Sequence, residues 1–172
     1  MKLIETKTLG TAAASIEFTS IPQTFTDLVL LSSLRDATVQ ESAGAGLTFN
    51  SNTSNRSGRQ LVGFGNSTGS FVLTNFMIGG RVNGAGSTAN TFASSSLYIP
   101  NYAGSNQKSS SLDDVAENNA TASIQEIVAQ LWADTAAITS ITVTANSGNF
   151  VVGSTISLYG ILKGSDGIVT TS

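Results

Sequence analysis

The sequence predicts an all-β protein that folds as a single antiparallel β-sandwich of jelly-roll type. Short runs that alternate polar and apolar residues recur along the chain, and turns rich in Gly and Asn separate them. Only 11 % of the 172 residues are charged, against roughly 25 % in an average soluble domain. Ser, Thr, Asn and Gly supply the polarity instead, and such a composition suits sheets and turns better than exposed helices.

The segment from Ser15 to Asp36 predicts the strand around which the sandwich is organised. Ser15–Thr19 alternates polar and apolar residues, which is typical of a strand with one buried face. Pro22 then interrupts the pattern, because proline has no N–H to donate to a ladder. Leu28–Leu31 is continuously apolar, so we expect Thr26–Leu34 to be a central strand that is covered on both faces.

About ten strands are expected in total. Besides the two above, they are predicted at Lys2–Leu9, Leu47–Phe49, Gln60–Phe64, Phe71–Ile78, Thr91–Ile99, Lys108–Glu117, Ala137–Ala145 and Thr155–Leu162. A slip in the pattern near Asn75 suggests a β-bulge. Polar loops or turns are predicted at Ala37–Ala45, Asn50–Arg59, Gly65–Gly69, Gly79–Asn90 and Asn118–Thr121.

One segment, Ser123–Trp132, fits two interpretations. Its apolar residues Ile124, Ile127, Val128 and Leu131 lie at helical spacing. The same residues also fit a strand that returns from a tight turn at Asn118–Thr121. We favour the strand, and the helix stays open as the alternative.

The composition excludes several classes of chemistry. The chain has no His and no Cys, so disulfides, Cys-based zinc sites, thiol nucleophiles and His-based acid–base catalysis are excluded. We therefore expect no enzyme activity and no cofactor. The net charge is −3 and no basic patch is present, which argues against a nucleic-acid partner.

The chain shows no internal repeat and no linker. We expect one domain over residues 1–163 and a flexible Gly- and Ser-rich tail over residues 164–172. The N-terminus lacks the apolar core of a signal peptide, and no apolar run approaches the length of a membrane span. Synthesis in the cytoplasm, without a membrane partner, is the corresponding expectation.

Acidic residues offer two weak candidate sites. Asp113, Asp114 and Glu117 form the one acidic cluster, but their spacing matches no calcium loop, so a solvated strand edge is the simpler interpretation. Pairs of carboxylates also serve glycosidases. Choosing Glu17 with Asp27, or Asp113 with Glu117, would be arbitrary, so no catalytic or metal residue is assigned.

Three stretches carry a resemblance to a known group of proteins. They are SIEFTSIPQTFTDLVLLSSLRD at Ser15–Asp36, LYIPNYAG at Leu97–Gly104, and AAITSITVTANSGNFVVGSTISLYGI at Ala136–Ile161. Together they resemble small virion structural proteins of tailed bacteriophages. The resemblance implies a jelly-roll module that decorates the capsid or is attached to the tail, and it supplies no catalytic motif.

The resemblance sets the functional expectation. We expect a virion protein, made in the host bacterium's cytoplasm, that acts as a capsid decoration (cement) protein. Its partners would be the phage major capsid protein and further copies of itself in a homotrimer. The alternative is a receptor-binding module on a tail or fibre that recognises a glycan of the host surface.

Three aromatic residues are candidates for that alternative. Tyr98, Tyr102 and Trp132 could stack on a sugar at a receptor-binding surface. Aromatic residues are also normal in the core of a sandwich or in a contact between subunits, and Trp132 follows apolar Leu131. A core or subunit contact is therefore the preferred interpretation of all three.

Overall fold

The strands show the alternation that the sequence predicts: apolar side chains are mostly buried, and the polar side chains between them are mostly exposed. The computed structural model describes residues 1–117 and 123–162. Within these ranges the chain forms twelve strands and no helix. They are β1 Lys2–Thr8, β2 Ser15–Phe18, β3 Asp27–Leu34, β4 Ser42–Phe49, β5 Arg56–Phe64, β6 Ser67–Thr74, β7 Ile78–Asn83, β8 Ala93–Ile99, β9 Lys108–Ala116, β10 Ile124–Trp132, β11 Ile141–Ala145 and β12 Thr155–Ile161.

The strands form two antiparallel sheets with jelly-roll connections. The small sheet has the order β2-β11-β4-β7, and the large sheet has the order β1-β12-β3-β8-β9-β10-β5-β6. The small sheet and the first four strands of the large one follow the strand order of an eight-stranded jelly roll. Apart from the inserted hairpins, the chain changes sheet at every connection except the one between β4 and β7, which are neighbours in the small sheet. The expected all-β, jelly-roll-like sandwich is therefore confirmed.

Two hairpins enlarge this jelly roll on one side. β5 and β6 are inserted between β4 and β7, and β9 and β10 are inserted between β8 and β11. Both hairpins join the large sheet beyond β8, because β9 pairs with β8 and β5 pairs with β10. β6 is the last strand, and both of its faces remain largely exposed.

The core lies between the two sheets. β3 is central in the large sheet, and its Leu28, Leu30 and Leu34 face inward. The small sheet contributes Leu47, Phe49, Ile78, Val82, Ile141 and Val143 from the opposite side. Burying such side chains is the main favourable contribution to folding. The expectation that β3 is covered on both faces holds at Val29 but fails at Leu31, which is 40 % exposed on the outer face.

β10 settles the choice between strand and helix for Ser123–Trp132. Residues 124–132 pair continuously with β9 on one side and with β5 on the other. Val128 and Trp132 are buried on the inner face, whereas Ile127 is exposed on the outer face. The strand interpretation is confirmed. Pairing with strands on both sides gives the backbone N–H and C=O groups of β10 the hydrogen-bond partners that they would find within a helix.

Several predicted loops are wrong because small residues carry little hydrophobic signal. Ser42–Ala45, expected in a loop, begins β4, and Arg56–Arg59, expected in a polar tip, begins β5. Gly79 and Gly80 lie buried in β7, where Gly80 has a φ of +141° that suits glycine. The expected Gly65–Gly69 turn is short, since β6 already begins at Ser67.

Two further boundaries differ from the expectation. Near Asn75 the chain has no bulge within one strand: β6 ends at Thr74, Asn75 has a φ of +52°, and the chain then enters the other sheet as β7. β11 begins only at Ile141. The predicted turn at Asn118–Thr121 and the predicted tail at 164–172 lie outside the described residues. The described part of the chain contains no helix long and apolar enough to cross a membrane.

Candidate interaction surface

The outer face of the large sheet is broad and carries few charges. The register places Thr6, Ser157, Leu31 and Ser96 in one row across β1, β12, β3 and β8. Neighbouring rows are equally rich in hydroxyl groups, with Thr8, Thr155, Ser33, Ser94, Ser109 and Ser111. On the described strands, the charged residues of this face are Asp27, Arg59 and Asp113. Such a surface can be covered by another protein with little loss of charge hydration.

The outer face becomes concave and apolar over β10, β5 and β6, and we call this area the hairpin groove. One depression of about 600 Å³ is lined by Leu61, Ile127, Gly63, Thr68, Ser70 and Gln125, among others. A second, of about 450 Å³, is lined by Arg59, Val72, Ala129 and Leu131, among others. Leu61, Ile127 and Val72 are 60 %, 57 % and 61 % exposed. Clustered exposure of this kind marks contact surfaces.

Two polar side chains on the inner face of β10 attach the groove to the small sheet. Gln130 forms two hydrogen bonds with Ile78 of β7: its Oε1 accepts from the backbone N–H at 2.5 Å, and its Nε2 donates to the backbone C=O at 2.9 Å. Glu126 Oε2 accepts a hydrogen bond from Arg81 of β7 at 2.5 Å and another from Gln60 of β5. The hairpins are therefore held in place by buried polar contacts.

A second carboxyl group lies beside this buried ion pair. Asp114 on β9 is directly opposite Glu126 in the register, and both are 1 % exposed. Burial, and then the neighbouring Glu126, raise the pKa of Asp114 to about 9. Asp114 therefore holds a proton at neutral pH, next to the Glu126 carboxylate. One Arg81 guanidinium then neutralises the pair.

The opposite end of β9 and β10 is fixed by Lys108. This buried side chain donates from Nζ to the backbone carbonyls of Gly104, at 2.7 Å, and of Asn106. Burial lowers the pKa of Lys108, an effect that nearby Asp134 partly offsets. The contacts hold the loop between β8 and β9 against the sheet.

Two of the three aromatic candidates for sugar stacking are not available for it. Tyr102 and Trp132 are 0 % and 1 % exposed, and the Trp132 ring packs edge-on against Phe49 with ring centroids 5.7 Å apart. Their indole and phenol rings belong to the core because β10 and the loop after β8 turn them inward. Tyr98 is 38 % exposed on the outer face, and its hydroxyl donates to Asp27 at 2.9 Å.

The acidic residues considered as ligands or catalysts do not converge. Asp113 and Asp114 are neighbours on β9, so their side chains point to opposite faces of the sheet. Glu17 lies on β2 of the small sheet, and Asp27 lies on β3 of the large one. Among residues 1–117 and 123–162, no group of three or more acidic side chains could hold a metal ion.

Sequence reasoning missed the buried Glu126 and Gln130. A signal was present, because both lie at even spacing from Val128 and Trp132. Once β10 is taken as a strand with these two apolar residues inside, Glu126 and Gln130 must share that face. Their partners Arg81 and Ile78 could not be found in this way, since β7 belongs to the other sheet.

The chain was compared with models of protein families, with curated proteins and with solved structures. None of the three comparisons found a match.

Proposed function

We propose that this chain is a non-enzymatic structural protein of a bacteriophage virion, and that it decorates and stabilises the capsid. The hairpin groove, together with the weakly charged outer face around it, is the observation that carries the proposal. Shell subunits would be held by shape complementarity over this surface. The resemblance of three sequence stretches to small virion proteins of tailed phages supports the same assignment.

The physical argument concerns the cost of making a large contact. A charged surface must lose its hydration when a partner covers it, whereas hydroxyl and apolar groups lose much less. The outer face combines hydroxyl-rich strands β1, β12, β3 and β8 with exposed Leu61 and Ile127 in the groove. Binding to the assembled shell alone would stabilise it by mass action. The protein would act as an oligomer, with the homotrimer as the proposed form.

The alternative function, glycan recognition on a tail or fibre, has narrower support. Tyr98 is the one exposed ring among the three aromatic candidates. Its hydroxyl is already bonded to Asp27, whose other oxygen accepts the backbone N–H of Asn101 at 2.8 Å. A single ring with an occupied hydroxyl is a poor sugar platform, so we favour the capsid.

A particle assay tests the proposal. Phage particles that lack this protein should release DNA at a lower temperature than complete particles, and adsorption to cells should be unchanged. Adding back the purified protein should restore heat stability. Particles that stay heat-stable but fail to adsorb would contradict capsid decoration and support the tail alternative.

A matched pair of variants locates the contact. Leu61→Glu places a charge in the hairpin groove, whereas Leu162→Glu places the same charge at a leucine of similar exposure outside the strands. We expect Leu61→Glu to lose binding to the shells and Leu162→Glu to retain it. Equal binding by both variants would exclude the groove as the contact surface.

A further inference from the structure

Among the residues that the structure describes, no strand pairs with the outer edge of β6. This strand ends the large sheet, and its sequence STGSFVLT contains no charged residue and no proline. Phe71 and Val72 at its centre are 48 % and 61 % exposed. A long, uncharged and partly apolar edge presents a row of free backbone groups that favours the addition of another strand.

The three other edge strands are protected. β1 carries Lys2, Glu5 and Lys7, and its pairing is irregular between Leu3 and Glu5. β2 has only four residues and includes Glu17. β7 is mostly buried and packs against β8 and β9 of the opposite sheet. Charges, irregular pairing, short length and cover are the usual means by which proteins prevent edge pairing, so β6 differs from the other edges of the same molecule.

The sequence of β6 is complementary to itself in one antiparallel register. If Val72 lies opposite Val72 of a second copy, Phe71 lies opposite Leu73 and Ser70 lies opposite Thr74. Apolar residues then meet apolar residues, and hydroxyl groups meet hydroxyl groups, which are favourable cross-strand pairs. A shift of the centre to Phe71 would place Val72 opposite Ser70, and a shift to Leu73 would place Val72 opposite Thr74.

We infer that β6 is a self-association site, at which two copies of this chain pair their β6 strands antiparallel around Val72. The contact is isologous, with a twofold axis perpendicular to the sheet. The two eight-stranded sheets would become continuous, and the two hairpin grooves would lie side by side on one face. This inference stands independently of the capsid function. If the proposed trimer also forms, each trimer carries three β6 edges, through which trimers associate with one another.

Native mass spectrometry and analytical ultracentrifugation of the purified full chain, from low to high micromolar concentration, test the inference. We expect dimers, or assemblies larger than a trimer if trimers form. Val72→Lys places two like charges opposite each other and should weaken the twofold contact about tenfold or more. The assembly would then dissociate to monomers or to trimers. Val152→Lys is the matched control, because Val152 is 58 % exposed outside the strands, and it should associate like the unmodified chain.

Mixing two variants tests the register. Val72→Lys and Val72→Glu should each dissociate alone, and an equimolar mixture should form a heterodimer at low salt, because opposite charges then face each other at the twofold axis. If the unmodified chain is found only as a monomer or a trimer, the inference is wrong. A strand of a shell subunit then becomes the candidate partner of the β6 edge. Equal weakening by Val152→Lys, or failure of the mixture to associate, would also overturn the inference.

Discussion

Glu126 connects three strands through one carboxylate. Its side chain is fully buried and accepts hydrogen bonds from Arg81 on β7 and Gln60 on β5, while Asp114 on β9 lies beside it. A buried carboxylate is costly unless a cation and hydrogen bonds compensate it. The protonated state of Asp114 follows from this arrangement, because one guanidinium cannot neutralise two carboxylates.

The first prediction concerns the pH dependence of stability. The pKa of Asp114 is about 9 in the folded chain, whereas an unperturbed aspartate has a pKa of 3.8. Since the folded state binds the proton more tightly, this group's contribution to stability is complete below about pH 4 and is lost as the pH rises to about 9, by up to about 1.4 kcal/mol per pH unit. Asp114→Asn keeps the shape of the protonated acid and should remove this loss.

Urea unfolding at a series of pH values provides the measurement. The Asp114→Asn variant should unfold at higher urea than the unmodified chain at pH 8, and the difference should shrink toward pH 4. Asp113→Asn is the control, because Asp113 is the exposed neighbour on the same strand. If Asp114→Asn is less stable at pH 8, Asp114 is ionised in the folded protein and the prediction is wrong.

The second prediction concerns the ion pair itself. Arg81→Met removes the cation and leaves the Glu126 carboxylate buried without a counter-charge, which typically costs about 3–5 kcal/mol of unfolding free energy. Adding Glu126→Gln should recover most of this loss, because the amide is neutral and can still bond to Gln60. Chemical denaturation of Arg81→Met, of Glu126→Gln and of the double variant gives the interaction free energy between the two residues. Additive effects of the two substitutions would show that the residues do not interact.

At the scale of elements, close packing of β12 against the segment before β3 depends on one glycine. The ring of Phe25 lies directly over Gly160, in the space that a β-carbon would occupy. Phe25 is itself buried in the core cluster. A methyl group at residue 160 must therefore displace the ring or the strand.

The third prediction follows from that contact. Gly160→Ala should lower the free energy of unfolding by about 1–3 kcal/mol, the usual cost of overpacking a core. Gly10→Ala is the matched control, because no atom lies within 4 Å of its added β-carbon, and it should change stability by less than about 0.5 kcal/mol. Chemical denaturation of both variants decides the matter, and equal midpoints would show that the Phe25 ring moves aside freely.

At the scale of the whole molecule, the jelly roll and its added hairpins differ in how firmly they are held. β3 is paired on both sides and buries Leu28, Leu30 and Leu34. β6 is paired on one side, and its side chains are mostly exposed. Local opening requires less free energy where few apolar groups are buried. Local opening is therefore expected to cost least at β6, the outer rim of the hairpin groove, whereas β10 and β5 are paired on both sides.

The fourth prediction concerns the rates of amide hydrogen exchange in β6 and β3. At low protein concentration, amides of β6 should exchange much faster than those of β3, because β6 can open without disturbing the core. Mass spectrometry of peptides from the two strands measures the rates. Raising the concentration should slow exchange in β6 if copies associate there, and it should not affect β3. Equal protection of both strands at low concentration would contradict the prediction.

The sequence by itself determined the class of fold and most of its strands. Alternation from Ser15 to Thr19, the apolar run at Leu28–Leu31 and the turn residues between strands are local signals that can be recognised in the sequence without its partners. The strand at β10 could be preferred on the same grounds. The loops assigned at Ser42–Ala45 and Gly79–Gly80 were wrong, since small residues give no periodic signal and become strands only when neighbouring strands pair with them.

Only the tertiary structure decided which residues meet. Glu126 and Arg81 are 45 positions apart and lie on different sheets, so no local pattern could join them or place Asp114 beside them. The burial of Tyr102 and Trp132 depends in the same way on the sheet that covers them. The open edge at β6 is likewise a property of strand order, because any strand can be an edge until the whole sheet fixes its neighbours.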